Sequence, residues 1–201
     1  MTMRLLITGG AGCLGSNLIE HYHVKGHDIC VIDNFETGRR ETVPEQPRLH
    51  VLEGSVADEI TLERVFTEFS PTHVIHSAAA YKDPENWVED VKTNILGTLN
   101  VIRSSERHQV SRLVNFQTAL CYGRPEVNPI PISHSTRPFT SYGISKTAGE
   151  AYLMQADIPF VSLRLANICA PRLAIGPIPT FYKRLKTGQS CFCTDSIRDF
   201  L

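Results

Sequence analysis

Near its N-terminus the chain reads MRLLITGGAGCLG, and this stretch limits the possible folds more than any other. Met3 to Thr8 is a short apolar run of strand type, broken by Gly9, Gly12 and Gly15. Leu14, Leu18, Ile19 and Tyr22 then recur at helical spacing, and Gly26 closes the segment. A strand that passes through a glycine-rich turn into a helix is the opening of a βαβ unit, so the rest of the chain is expected to alternate strands and helices.

The alternation continues. HDICVID (27–33), RLHVLEG (48–54), THVIHSAA (72–79), SRLVNFQTA (111–119) and FVSLRLANI (160–168) read as further strands. Leu62, Val65, Phe66 and Phe69 give one helix an apolar face that ends at Ser70-Pro71. A long helix carries Val91, Ile95, Leu99 and Ile102 on one face, and another follows a Pro-rich loop at Pro125 to Pro138. Strands that are continuously apolar belong to a parallel sheet covered on both faces. The expected fold is therefore α/β, a doubly wound parallel sheet of the Rossmann type. After Ile168 the chain becomes rich in Pro and Gly, with a short helix around Phe181 to Lys186. Residues 1–168 are expected to form the Rossmann domain, and 169–201 the beginning of a small C-terminal substrate domain.

The 201 residues suffice for one domain or one domain and part of a second. No apolar run approaches the ~20 residues of a membrane span, so a cytoplasmic, non-membrane protein is expected. With a net charge of −1 and no Lys/Arg cluster, nothing favours nucleic acid. Six cysteines lie mostly in apolar stretches and read as reduced, buried thiols. Cys191 and Cys193 form a C-x-C with no second ligand pair, so no metal site is expected.

In such sheets ligands bind beyond the carboxyl ends of the strands. That edge gathers Gly9 to Gly15, Asp33, His76 to Ala80, Thr118 and Asn167. Glycines allow a positive φ and close backbone approach to a pyrophosphate, and the helix N-terminus adds free N–H groups. Asp33, about 20 residues beyond the turn, is placed to accept hydrogen bonds from ribose hydroxyls. Its charge would repel a 2′-phosphate, which favours NAD, while Arg39 and Arg40 just downstream keep NADP as the alternative.

The stretch FTSYGISKTAGEAY (139–152) places Tyr142 and Lys146 four residues apart, on one face of a helix and about 5–6 Å from each other, Cβ to Cβ. A free tyrosine titrates near ~10, too high for a base at neutral pH. A neighbouring ammonium and a positive nicotinamide would each favour the phenolate, so Lys146 is expected to lower the Tyr142 pKa. Thr118, at the end of a neighbouring strand, offers a short donor to the same reacting oxygen.

Together TGGAGCLG (8–15), DNFETGRR (33–40), VIHSAA (74–79), NILGTLNV (94–101), TALCYG (118–123), SYGISK (141–146), LRLANI (163–168) and RDF (198–200) resemble the extended short-chain dehydrogenase/reductases. More narrowly, the chain is similar to the NAD-dependent nucleotide-sugar epimerase/dehydratase family, over Thr8 to Leu201, and to sugar-nucleotide epimerases of bacterial lipopolysaccharide O-antigen clusters. The resemblance implies that Tyr142 is the acid/base, Lys146 holds the nicotinamide ribose and Thr118 bonds the sugar oxygen. It implies an NAD site made by Gly9, Gly12, Cys13, Leu14, Gly15, Asp33, Asn34, Thr37, Gly38, Ser55, Val56, Ser77, Ala78, Ala79, Tyr142 and Lys146. It further implies that Thr118, Asn167 and Arg198 meet the nucleotide sugar, that Asn94 supports the long helix, that His76 is structural, and that the protein is a homodimer.

The departures are informative. Ala119 and Leu120 stand where the family's dehydratases carry Asp-Glu, and neither can move a proton. Leu120 also lacks the glutamate of the decarboxylases. Oxidation and re-reduction of a UDP-sugar hydroxyl, a 4-epimerisation, is thus the expected reaction. The alternatives are a nucleotide-sugar dehydratase or reductase, or a non-catalytic NAD-binding protein. Gln117 replaces a usual serine, Ser55 a usual aspartate, Cys121 a usual valine and Ala170 a usual glycine. Family members continue for roughly a hundred residues more, so this chain is expected to be a poorly active piece that associates through its open cleft.

Overall fold

The computed structural model describes residues 2–192. Six strands, β1 (Arg4–Thr8), β2 (Asp28–Asp33), β3 (Leu49–Glu53), β4 (His73–His76), β5 (Arg112–Thr118) and β6 (Phe160–Leu165), form one sheet in the order β3-β2-β1-β4-β5-β6. Every neighbouring pair is parallel. Parallel neighbours need crossovers, and the helices α1 (Cys13–Val24), α2 (Glu59–Phe69), α3 (Trp87–Asp90), α4 (Thr98–Arg107) and α5 (Ser141–Leu153) lie in them. A sixth helix, α6 (Pro177–Lys186), follows β6. The strand order turns back between β1 and β4, and the crevice at that switch point is where a ligand fits. This is the expected doubly wound α/β sheet.

Alternation along each strand fills two cores. Leu6, Ile32, Val74 and Leu113 pack on one face with Leu62, Phe66, Val101, Ile102 and Leu153 of α2, α4 and α5. Leu5, Ile7, Ile29, Val31 and Ile75 pack on the other with Ala11 and Ile19 beside α1. Both faces are apolar because both are covered.

Five expectations about the fold change. β4 ends at His76 rather than Ala79, because Ser77 and Ala78 turn to hydrogen-bond Thr8. β6 ends at Leu165 rather than Ile168, because its partner β5 stops at Thr118 and turns into a 3-10 turn at Ala119–Tyr122. The last helix begins four residues before Phe181, at Pro177, whose fixed φ suits a first helical position. Of the cysteines, Cys30 and Cys121 are buried, but Cys169 and Cys191 are exposed, since the Pro/Gly-rich segment lies outside both cores; Cys193 lies outside the described residues.

The long helix differs most. Between α3 and α4 the residues Val91–Gly97 form a π-helix. Its wider turn shifts the helical register. The residues buried through it are Thr93, Asn94, Gly97 and Thr98, followed by Val101. Of the expected apolar face only Ile102 is buried, while Val91 is 52% exposed. Small and polar residues line the contact because the chains come very close there. A Cβ on Gly149 of α5 would lie 2.7 Å from the Asn94 carbonyl oxygen.

This contact is testable. Alanine is favoured over glycine in a helix by about 1 kcal/mol. Overpacking costs about 1–3 kcal/mol, and here the clash is with a backbone oxygen that cannot swing away. Gly149→Ala should therefore lower the urea midpoint; an unchanged or higher midpoint would show that the contact is looser than described.

Candidate active site

The crevice begins at the glycine turn. Gly9 has φ +67°, and a Cβ there would meet the Ala78 Cα at 2.7 Å, so only glycine lets the turn after β1 run against the turn after β4. A Cβ on Gly15 would strike the Gly9 carbonyl oxygen at 2.4 Å. Gly12 is different. A Cβ there would meet only the Gly9 oxygen, at 3.3 Å, so its missing side chain keeps the mouth of the turn open. α1 starts at Cys13 with no side-chain cap, leaving N–H groups and the positive end of the helix dipole facing that opening.

Asp33, at the end of β2, is buried. Its two oxygens accept the Ala11 and Phe35 N–H groups, each at 2.8 Å. Each oxygen keeps a further lone pair for a hydroxyl donor. Gly38 closes on Ala11, where a Cβ would come within 2.7 Å of its side chain, and Thr42 donates to the Ala11 oxygen at 2.9 Å. Asn34 and Thr37 sit on this loop, and the Asn34 side chain accepts the Glu36 N–H. Ser55 accepts from Ala57 N, and Val56 is buried against Gly97. Ser77 donates to the Thr8 carbonyl at 2.6 Å, and Ala78 N donates to the Thr8 hydroxyl. Ala79 follows directly, and Leu14 is half-buried in the first turn of α1.

α5 carries the Tyr/Lys pair. Thr140 caps it by accepting from Gly143 N, and Ser141 donates to Asp90 at 2.6 Å, tying its start to α3. Lys146 is only 4% exposed and makes no hydrogen bond or ion pair with its ammonium among the described residues. A buried, unpartnered cation beside a crevice is a group made for a ligand. With the open turn, the uncapped helix and the Asp33 acceptors, the donor and acceptor set fits a dinucleotide.

The protein's own surroundings raise the Tyr142 pKa rather than lower it. Burial pushes Tyr142 up to about 12, with Tyr81 and Asp90 adding to the rise. Burial also pulls Lys146 down to about 8, against the opposing pull of Glu150. Desolvation penalises the charged form of both groups and is the largest cause of each shift. The ring of Tyr81 lies edge-on to Tyr142 at 6.3 Å between centroids.

Thr118 accepts from Leu120 N at 3.2 Å, and among the described residues its own hydroxyl hydrogen has no acceptor. That hydrogen is thus available to a further acceptor. The Leu120 carbonyl comes within 3.2 Å of where a Gly143 Cβ would stand, so the turn after β5 sits against the start of α5. Asn167 is exposed beyond β6, and Arg198 lies outside the described residues. His21 is exposed; His23 and His27 are half-buried, bonded to the Pro47 carbonyl and the Met3 N–H, and belong to the first helix and its exit.

Sequence reasoning missed a buried network beneath this site. Gln117 bridges the Thr118 N–H and the Lys146 carbonyl, at 2.8 and 3.0 Å, and reaches Glu150. Glu150 also accepts from Ser162 and Arg164. These contacts hold its carboxyl below the usual range in spite of burial. The spacing of Glu150, four residues beyond Lys146, was the available signal.

Comparison with known proteins gives consistent results. The family model described as the NAD dependent epimerase/dehydratase family matches residues 5–201. The crystal structure of the Bordetella bronchiseptica enzyme WbmG in complex with NAD and UDP superposes with a TM-score of 0.93 at 67% identity, covering 100% of this chain and 65% of that one. A UDP-glucose 4-epimerase of Thermotoga maritima, solved with UDP-glucose, gives 0.86 at 30% identity, covering 92% and 63%. A UDP-glucose 4-epimerase of Corynebacterium glutamicum is 36% identical over 188 residues, 87% of this chain and 54% of its own length. The chain spans about half the length of this curated relative. No helix among the described residues is long and apolar enough to cross a membrane.

The Lys146 shift makes a pH prediction. Its folded pKa of about 8 lies below the ordinary 10.5, so the unfolded chain binds more protons between those values and stability rises with pH across that window. Below pH 8 the full penalty for the buried charge applies, on the order of 3 kcal/mol. Lys146→Met should raise the urea midpoint at pH 7 and abolish the rise above pH 8. A flat wild-type profile, or a variant no more stable at pH 7, would contradict this.

Proposed function

Given that the chain belongs to the NAD dependent epimerase/dehydratase family, we propose that it is the cofactor-binding part of a nucleotide-sugar 4-epimerase acting on a UDP-linked sugar. The carrying observation is the crevice itself. Tyr142, Lys146 and Thr118 come from α5 and the end of β5, beside a turn open to a diphosphate, while the next two residues, Ala119 and Leu120, are inert. WbmG was solved with NAD and UDP, which supports NAD and a UDP-linked substrate here.

When bound, NAD supplies a reversible hydride acceptor at the sugar carbon. Gly9, Gly12, Cys13, Leu14 and Gly15 would receive its diphosphate. Asp33, Asn34, Thr37, Gly38, Ser55 and Val56 would receive the adenosine, and Ser77, Ala78, Ala79, Tyr142 and Lys146 the nicotinamide side. Tyr142 takes the hydroxyl proton as the sugar is oxidised and returns it when the sugar is reduced on its other face. Lys146, charged and close, draws the Tyr142 pKa down from its free-protein value once the crevice is filled. Thr118 donates its unused hydrogen to the reacting oxygen. No water is lost, because neither Ala119 nor Leu120 can serve as an acid or base. That disfavours the dehydratase reading, and a reductase would consume its cofactor in each cycle.

On this reading residues 1–168 hold the cofactor and 169–201 open the nucleotide-sugar region, with Asn167 and Arg198 near the substrate diphosphate. The sugar would serve cell-surface polysaccharide synthesis, of the lipopolysaccharide O-antigen type, in the cytoplasm. A homodimer is supported by the exposed apolar stripe that α3, the π-helix and α5 share: Trp87, Val88, Val91, Leu96, Ile144 and Tyr152.

Two experiments test this. The full-length protein should interconvert 4-epimers from a panel of UDP-hexoses, amino sugars and uronic acids with no net NADH. Tyr142→Phe should lose about 10²–10⁴-fold in rate while retaining NAD. Full activity of that variant, or NAD binding with no conversion of any sugar, would sink the epimerase reading and favour the non-catalytic one. Separately, the wild type should sediment as a dimer and Val88→Glu as a monomer; a monomeric wild type would remove the dimer from the account.

A further inference from the structure

His76 ends β4 with its ring buried and 1% exposed. It lies between the hydroxyls of Thr8 and Thr98, at 2.8 Å from Nδ1 and 3.0 Å from Nε2. Both threonines are themselves buried. The direction of each hydrogen bond follows from its neighbours.

Thr98 donates its hydroxyl hydrogen to the Asn94 carbonyl at 2.7 Å. A carbonyl cannot donate, so toward His76 the Thr98 oxygen can only accept, and Nε2 must carry a hydrogen. At this burial the ring is neutral, and Nδ1 is then an acceptor. The Thr8 hydroxyl must therefore donate to Nδ1, while its oxygen accepts the Ala78 N–H at 3.2 Å. A single directed chain results. It runs from the Ala78 amide through Thr8, His76 and Thr98 to the Asn94 carbonyl.

Asn94 continues it. Its side chain is closed on the Ala80 backbone, accepting from the N–H at 2.9 Å and donating to the oxygen at 3.0 Å. It also donates to Ser145 at 3.0 Å, and Ser145 donates to the carbonyl of Tyr142 at 3.0 Å. One end of the chain thus sets Ala78, the backbone against which Gly9 closes. The other end sets the residue that carries the Tyr142 side chain. The groups that face the His76 ring from the packed elements are Thr8, Thr98 and, at longer range, the Lys146 ammonium. The ammonium's sign also keeps the ring neutral.

We propose that His76 is a positioning residue: fixed as the Nε2–H tautomer, it makes the glycine turn and the catalytic helix hold each other in register. This rests on the cofactor-dependent reading given above. A buried imidazole needs partners in any case; what makes this one a link is that its two threonines lead to opposite sides of the crevice, Ala78 on one and Asn94 on the other. The coupling predicts that a change on the helix side, remote from any ligand-facing group, is felt at the glycine turn.

The test combines spectroscopy with a double-substitution cycle. In ¹⁵N-edited NMR, His76 should show a bare Nδ1 and a protonated Nε2, unchanged from pH 5.5 to 8.5. The opposite tautomer, or titration in that range, overturns the proposal. By calorimetry, Thr8→Val and Thr98→Val should each weaken NAD binding about tenfold, and together no more than about tenfold, because each alone breaks the same chain. The serine versions, which keep the hydroxyl, should restore affinity to within about threefold. Multiplicative losses, a Thr98→Val protein that binds NAD like wild type, or no rescue by serine would each overturn it. NAD binding by a wild type that converts no nucleotide sugar would sink the epimerase reading and leave this coupling measurable. A wild type that binds no NAD would overturn both.

Discussion

The crevice exists because the turns leaving β1 and β4, neighbours in the sheet, run against each other with no side chain between them. Gly9 fills that point, at φ +67° and in contact with the backbone of Ala78. A side chain there would push apart the two strands between which the sheet order reverses, and the crevice opens at that reversal. Closing them brings the open mouth at Gly12, the acceptors of Asp33 and the uncapped start of α1 to one place. The apolar cores on the two faces stabilise the sheet, but they do not select this arrangement. The close backbone contact does.

On the other side of the crevice the constraint is polar satisfaction. α5 approaches the π-helix so closely at Gly149 that apolar packing has no room there. The contact is made instead by Asn94, Thr98, Ser145 and the Ser141–Asp90 pair, whose hydrogen bonds meet one another's needs. Buried polar groups are tolerable only when they are bonded. Against that background the Lys146 ammonium, with no hydrogen bond among the described residues, stands out at this contact. The free protein holds a neutral tyrosine beside a cation that burial has made reluctant to stay charged.

Much of this was legible in the sequence because it depends on local rules. The alternation of apolar runs gives six parallel strands, and the glycine spacing gives the turn. The Asp33 and Tyr142–Lys146 positions follow from strand ends and helical periodicity. The rest was hidden for physical reasons. The π-helix at Val91–Gly97 packs against Val56 and α5, a tertiary closeness that no local propensity encodes, so the expected apolar face is only partly buried. The direction of the Tyr142 shift depends on depth of burial, which residue spacing does not report. The roles of Gln117 and His76 lie in partners far away along the chain, Lys146 and Glu150 for one and Thr8 and Thr98 for the other.

The central claim is that the sugar is oxidised and re-reduced at one carbon within one closed cycle. The most direct measurement follows deuterium placed at C4 of the UDP-sugar substrate through turnover in ordinary water. Hydride transfer to and from a retained cofactor predicts that both 4-epimers keep the deuterium at C4 and that none reaches the solvent. Washout of the label to water, matched by the rate of epimer formation, would mean that the carbon gives up a proton instead, and would contradict the account.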